Sequence, residues 1–284
     1  MEKQYEFAGV QIAVSAPEEM MYTDDRTLEP FRAADAADPY RFSFEIVENL
    51  TPPTTAPIAV MDSFAIYQEQ DARVQYVGAV TDGWEKAYLR TDLQGREGRV
   101  ELKKKVFGKT MSAKTVLNAI SAEHLIAQNG GFVFHSSYIE VDGKAILFTA
   151  PSGTGKSTQA ELWRTLRGAR VLNGDRSAVC VRNGQAVACG IPFAGSSQIC
   201  ENVTLPLGAI VYLDQAPQTS IRKLRGVEAF RRVWEGVSVN TWDKEDLSKA
   251  MDTVQQTVLS VPVYYLSCTP DETAVAALEQ ALGK

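Results

Sequence analysis

Cysteine is scarce in this 284-residue chain. Cys180, Cys189, Cys200 and Cys268 are its four, and no two stand in Cys-x-x-Cys spacing. That spacing argues against a zinc ribbon or a disulfide framework and reads as reduced thiols in a cytoplasmic protein. Long apolar runs are missing too. No stretch approaches the roughly 20 residues of a membrane span. The first residues, Met-Glu-Lys-Gln-Tyr, lack the pattern of a signal peptide. Positive charge is in short supply: 29 Lys and Arg stand against 35 Asp and Glu, a net charge of −6. Bulk electrostatics therefore lend no support to a nucleic-acid partner. The one basic run, residues 103–105, reads as a solvated linker. No internal repeat is visible. What remains is an apolar content of 45% and a charged content of 23%, those of a soluble globular protein. The length suffices for one large or two ordinary domains.

Residues 150–158 read Ala-Pro-Ser-Gly-Thr-Gly-Lys-Ser-Thr. This is the pattern of a phosphate-binding loop. Gly153 and Gly155 let the backbone turn so that successive N–H groups face a phosphate. Ser152, Thr154 and Thr158 complete the cradle. Lys156 is placed to reach the outer phosphates, and the Ser157 hydroxyl to hold Mg²⁺. Ala150 stands where the pattern most often has Gly. The run before the loop, Ala-Ile-Leu-Phe-Thr, is apolar and β-prone, and the run after it is helical. Strand, loop and helix N-terminus together make an anion site.

Residues 1 to about 105 read as β-rich, with strands expected at 5–14, 40–46, 58–60, 74–80, 86–90 and 99–106. Residues 40–46 alternate apolar and polar, the period of a half-buried strand. Asp82-Gly83 suggests a turn. A helix is expected over 112–128, with Val116, Leu117, Ile120, His124 and Leu125 on one face and Asn129-Gly130-Gly131 as its stop. His124 then reads as a packed or half-exposed helix residue. Strands at 132–141 and 144–149 form a hairpin about Asp142-Gly143, so an antiparallel pair leads directly into the phosphate loop. That differs from an ordinary doubly wound nucleotide fold. A short strand then ends at Asn173-Gly174-Asp175-Arg176. Further strands are expected at 178–182, 185–188, 208–213 and 261–266, with Asn183-Gly184 turning the first pair. Helices are expected at 227–235 and 246–259 and from Pro270, where Thr269-Pro-Asp-Glu272 reads as a capping box.

His135-Ser136, a hairpin, Pro-Ser-Gly-Thr-Gly-Lys-Ser-Thr and then Leu172-Asn-Gly-Asp-Arg176 resemble the C-terminal catalytic domain of HPr kinase/phosphorylase. That domain is related to the core of phosphoenolpyruvate carboxykinase. The resemblance covers residues 130–200 well, the rest of the C-terminal half loosely and the first 105 residues not at all. More specifically, the chain looks like a divergent bacterial group that includes peptide-modifying kinases of biosynthetic clusters. The resemblance implies an α/β fold, a phosphate-loop domain with a mixed sheet at 109–284, and the strand pattern before it adds a β-rich domain at 1–108. The resemblance also implies ATP and Mg²⁺ as cofactors, with Gly153, Gly155 and Lys156 on the nucleotide phosphates and Ser157 and Asp175 on the metal. Asp175, 19 residues past Lys156, matches the second acid of a family Asp-Asp pair. His135 matches the histidine near the transferred phosphoryl group, and Arg176 could face phosphate. The departure is Gly174, which stands where the family has its first Asp, the expected base for the substrate hydroxyl.

The implied activity is ATP-dependent phosphorylation of a Ser or Thr hydroxyl of a protein or ribosomal peptide. The alternatives are a nucleotide-binding regulatory module without transfer, which Gly174 favours, and a small-molecule kinase. Positioning and electrostatics supply most of the acceleration in phosphoryl transfer, so a missing acid need not abolish it. His135 could serve as the base or only hydrogen-bond the loop. Asp214 ends the apolar run Ile210-Val-Tyr-Leu and competes with Asp175 for the metal by pattern alone. Residues 190–197 line an acceptor site or merely connect. Arg222, Lys223, Arg225, Arg231 and Arg232 read as a solvated helix face, one of which could complete a phosphate clamp.

Overall fold

The computed structural model describes residues 2–17, 27–61, 64–79, 84–92, 95–107 and 113–283. Its contacts divide the chain into two units, Met1–Ala122 and Glu123–Lys284.

The first unit carries a mixed sheet of nine strands: β1 (Glu2–Phe7), β2 (Val10–Ser15), β3 (Arg32–Ala33), β4 (Tyr40–Val47), β5 (Pro57–Val60), β6 (Phe64–Gln68), β7 (Ala72–Ala79), β8 (Trp84–Asp92) and β9 (Glu97–Lys103). They pair in the order β3-β1-β2-β4-β9-β8-β7-β6-β5. In β4, Phe42 and Phe44 are buried while Arg41 and Ser43 are exposed, as the alternation requires. Three expectations need correction. Residues 5–14 are a hairpin, turning at Ala8 and Gly9 with φ of 51° and 80°. The basic run is no linker: Lys103 ends β9, and Lys104 and Lys105 open α1 (Lys104–Phe107), where Lys104 pairs with Glu48. The helix expected at 112–128 is two, α2 (Ala113–Ala119) and α3 (Ala122–Gln128), broken at Ser121, whose φ is 55°. Ser112 and the Asp82-Gly83 turn lie outside the described residues.

The second unit is built on two long strands, β10 (Gly131–Val141) and β15 (Thr204–Gln215). Between them in sequence come β11 (Lys144–Thr149), α4 (Lys156–Arg167), β12 (Arg170–Asn173), β13 (Arg176–Arg182) and β14 (Gln185–Gly190). Beyond β15 come β16 (Ser220–Leu224), α5 (Gly226–Trp234), β17 (Val237–Ser238), α6 (Lys244–Ser260), β18 (Val263–Cys268) and α7 (Glu272–Leu282). β10 pairs antiparallel with β11 and β13, β13 with β14 and β14 with β15, and β15 closes the circuit by pairing parallel with β11. β18 extends the sheet parallel to β15, with β16 at the edge.

The hairpin turns sit where expected. Asp142-Gly143 and Asn183-Gly184 have φ of 50° and 72°, and of 52° and 76°. These are the positive pairs a type I′ turn demands. β11 is buried on both faces after Lys144, which explains its unbroken apolar run. One layer over it packs Trp163 of α4 with Val275 and Leu278 of α7. The other packs Val233 of α5 with Val254 of α6. Two further expectations change here. Arg222 and Lys223 lie on the edge strand β16, not on a helix face. α7 is capped by Asp271, which accepts from the Thr273 N–H at 2.9 Å, so the Thr269 capping box does not form. Among the described residues no helix is long and apolar enough to cross a membrane.

Candidate functional site

β11 runs into the phosphate loop at its carboxyl end, and α4 begins at Lys156. Gly153 and Gly155 have φ of 80° and 115°, in the region where a side chain is strained. The two glycines therefore shape the loop as the motif requires. Lys156 is buried, and its Nζ donates to the Ala150 carbonyl at 3.1 Å and the Pro151 carbonyl at 3.4 Å. Burial depresses its pKa, against the pull of the Asp175 carboxylate.

The second wall is the turn between β12 and β13. Asn173, fully buried, builds it. Its Oδ1 accepts from the N–H groups of Asp175 at 2.9 Å and Arg176 at 3.0 Å, and its Nδ2 donates to the Ile191 carbonyl at 3.0 Å. This Asx turn aims Asp175. Across the antiparallel pair, His135 stands opposite Arg176. His135 Nε2 lies 3.7 Å from Asp175 Oδ1, and Arg176 Nε lies 3.7 Å from Oδ2. Arg176 also meets Glu123 at 3.5 Å and covers the ring of Phe193 at 5.1 Å. The His135 main chain is held as well. Its N–H donates to the Gly236 carbonyl at 2.8 Å, and its carbonyl accepts from the Thr149 hydroxyl at 3.0 Å. Burial is the main cause that lowers the His135 pKa. Lys156 and Arg176 add to it and Asp175 opposes. The shift favours the neutral imidazole, the form that accepts a proton.

Ser157 donates its hydroxyl proton to the Gly174 carbonyl at 3.3 Å, which places it beside Asp175. The loop at 190–197 packs against Gly174 and Asp175. Gly195 approaches Asp175 so closely that a Cβ would stand 2.6 Å from the Asp175 Cβ. At Gly174 a Cβ would stand 2.9 Å from the Cβ of Ser197. Gly174 is therefore required by the approach of Ser197, not by a left-handed φ. A carboxylate there demands that the loop move.

The structure thus gathers His135, Lys156, Ser157, Asp175 and Arg176. Gly153, Thr154, Gly155 and Thr158 border a cleft of about 540 Å³ on the other side of the loop, and Ser152 is exposed at its crown. Asp214 lines that cleft. It accepts from the Tyr265 hydroxyl and from the Gln215 N–H at 2.9 Å. Two members of the basic cluster are engaged elsewhere. Arg222 pairs with Glu228 at 2.6 Å and Arg232 with Glu235 at 3.1 Å. His124 is bonded to Asp246. Sequence reasoning missed Asn173 and Gln159. The Asn-Gly step was a usable turn signal for the first, and nothing local marks the second.

The family model of the SynChlorMet cassette protein ScmC matches residues 103–282. The chain belongs to this family. All the residues of the candidate site fall inside the matched segment. No curated protein matches the chain. Among solved structures, the Hpr(Ser) kinase/phosphatase from Coxiella burnetii is similar at a TM-score of 0.31 and 11% identity, over 52% of this chain and 95% of that one.

Proposed function

We propose that the chain is a kinase that moves the γ-phosphoryl group of ATP onto a hydroxyl, that of a serine or threonine in a protein or ribosomal peptide. The observation that carries this reading is the convergence of His135, Asp175 and Arg176 within 3.7 Å contacts beside Lys156. The acceptor class rests on the motif resemblance. In this reading the N–H groups of the loop hold the phosphates, and Lys156 reaches the outermost. The Ser157 hydroxyl and the Asp175 carboxylate are hard oxygen donors, which suits Mg²⁺. Bound there, the ion offsets phosphate charge.

The hydroxyl oxygen of the acceptor forms the new bond to the γ-phosphorus, and the bond to the bridging oxygen breaks to release ADP. The hydroxyl proton passes to His135 Nε2. Lys156 and Arg176 supply positive charge where it spreads over the transferring group. The unbridged thiols of all four cysteines accord with a cytoplasmic setting.

His135→Ala is expected to lower the transfer rate by about 10²–10⁴, the usual worth of a positioned base. ATP affinity should change little, because the lost group acts on the acceptor. Transfer at the parental rate in this variant removes His135 from the mechanism. The second reading is a module that binds ATP without transfer. One observation favours it: Ser197 fills the side of Gly174 where the resembling family carries an acid. Absence of transfer from the parent chain to any hydroxyl acceptor would select it.

A further inference from the structure

The cleft behind the phosphate loop is lined by polar and apolar residues alike, Asp214 and Gln215 beside Leu213 and Ala216. Pro217 and Pro270 form two of its walls, and Thr158 leads from it to the loop. On its floor lies Gln159, only 3% exposed. Its Nε2 donates to Cys268 Sγ at 3.4 Å. Its Oε1 is buried and has no hydrogen-bond partner. An acceptor left like this is costly, and a leucine or methionine would occupy the same helix position beside Ala160 and Trp163 without that penalty. A buried, unsatisfied acceptor on the floor of a cleft calls for a ligand that donates to it.

We propose that Gln159 reads the base of the nucleotide and selects adenine over guanine. This rests on the phosphate-loop reading above. A triphosphate seated on the loop can extend its nucleoside past Thr158 into this cleft, where Leu213, Pro217 and Pro270 offer apolar surface to a purine. The substituent at the purine 6-position decides the match. In adenine it is an amino group that donates to Oε1. In guanine it is an oxygen, which would face Oε1 acceptor to acceptor. Sites that hydrogen-bond a polar substituent reject the analogue lacking it far more strongly than a shape-only pocket does.

Calorimetry with the Mg²⁺ complexes of ATP, GTP, purine riboside triphosphate and inorganic tripolyphosphate tests this. The parent chain should bind ATP about tenfold or more tighter than GTP and than purine riboside triphosphate, which lacks the amino group. Gln159→Leu should erase that preference through loss of ATP affinity and leave tripolyphosphate affinity unchanged. The purine riboside comparison needs no variant, so it stands if Gln159→Leu fails to fold. Equal or tighter binding of GTP by the parent overturns the proposal. So does equal binding of ATP and purine riboside triphosphate, or a Gln159→Leu loss that tripolyphosphate shares. If the parent binds neither ATP nor tripolyphosphate, the phosphate-loop reading fails first and takes this proposal with it.

Discussion

Lys156→Ala is expected to weaken binding of Mg·ATP by at least about 2 kcal/mol, roughly thirtyfold, the worth of a charge-assisted hydrogen bond to phosphate. Lys156 is the one side-chain cation within the loop itself, and it starts α4 where the helix dipole adds to the anion site. Among the described residues its hydrogen-bond acceptors are the two loop carbonyls of Ala150 and Pro151, which an outer phosphate oxygen would outcompete for charge. The fold should not suffer. Burial already depresses the pKa of this lysine, so its charge is a cost to the folded state that alanine removes. Calorimetry that gives the parental affinity in a variant melting at or above the parental temperature would mean that the loop does not hold a nucleotide.

A second large effect is expected far from the loop. Asp246→Ala should destabilise the Glu123–Lys284 unit by about 3 kcal/mol, because it removes a buried carboxylate that several half-buried donors share. Asp246 is fully buried on α6. Its carboxylate accepts from His124 Nδ1 at 2.8 Å, Gln128 Nε2 at 2.8 Å and Asn240 Nδ2 at 3.2 Å. Two of those donors stand on α3, so one carboxylate ties α3 to α6. The atoms of His124, Asp243 and Asp246 lie within 4.8 Å of one another. Asp243 is occupied as the N-cap of α6, accepting from the Glu245 N–H at 2.9 Å, and both Asp246 oxygens are hydrogen-bonded. The group is thus a structural lock. Urea unfolding can be followed by tryptophan fluorescence, since Trp163, Trp234 and Trp242 of the four tryptophans lie in this unit. A midpoint equal to the parent's would show that the lock contributes nothing.

The parts legible in the sequence are those whose signal is local. The phosphate loop needs glycines at two positive φ values beside an apolar strand and a helix start, and all of these are contiguous. The turns at Asp142-Gly143 and Asn183-Gly184 use residues that favour positive φ, so both hairpins could be placed. The turn at Ala8-Gly9 could not, because alanine gives no such warning and apolar residues run straight through it. The same holds for Ser121, which breaks a helix whose apolar spacing continues beyond it. The charged strand β16 reads as a helix face because edge strands tolerate Arg and Lys. What decides the site is less local still. Asp175 is aimed by Asn173, which is anchored on Ile191. Gly174 is required by Ser197, and the floor of the cleft joins Gln159 to Cys268. Such pairs exist only once the circuit of strands has closed.

The most direct measurement is transfer of label from γ-phosphate-labelled ATP and Mg²⁺ to hydroxyl-bearing peptides, read by mass in the parent, in Asp175→Asn and in Asp214→Asn. The expected result is labelled serine or threonine with the parent and with Asp214→Asn, and a severe loss with Asp175→Asn, because an amide removes the anionic oxygen a hard divalent ion prefers. Loss of transfer in Asp214→Asn with none in Asp175→Asn, or no labelled hydroxyl from the parent at all, would contradict it.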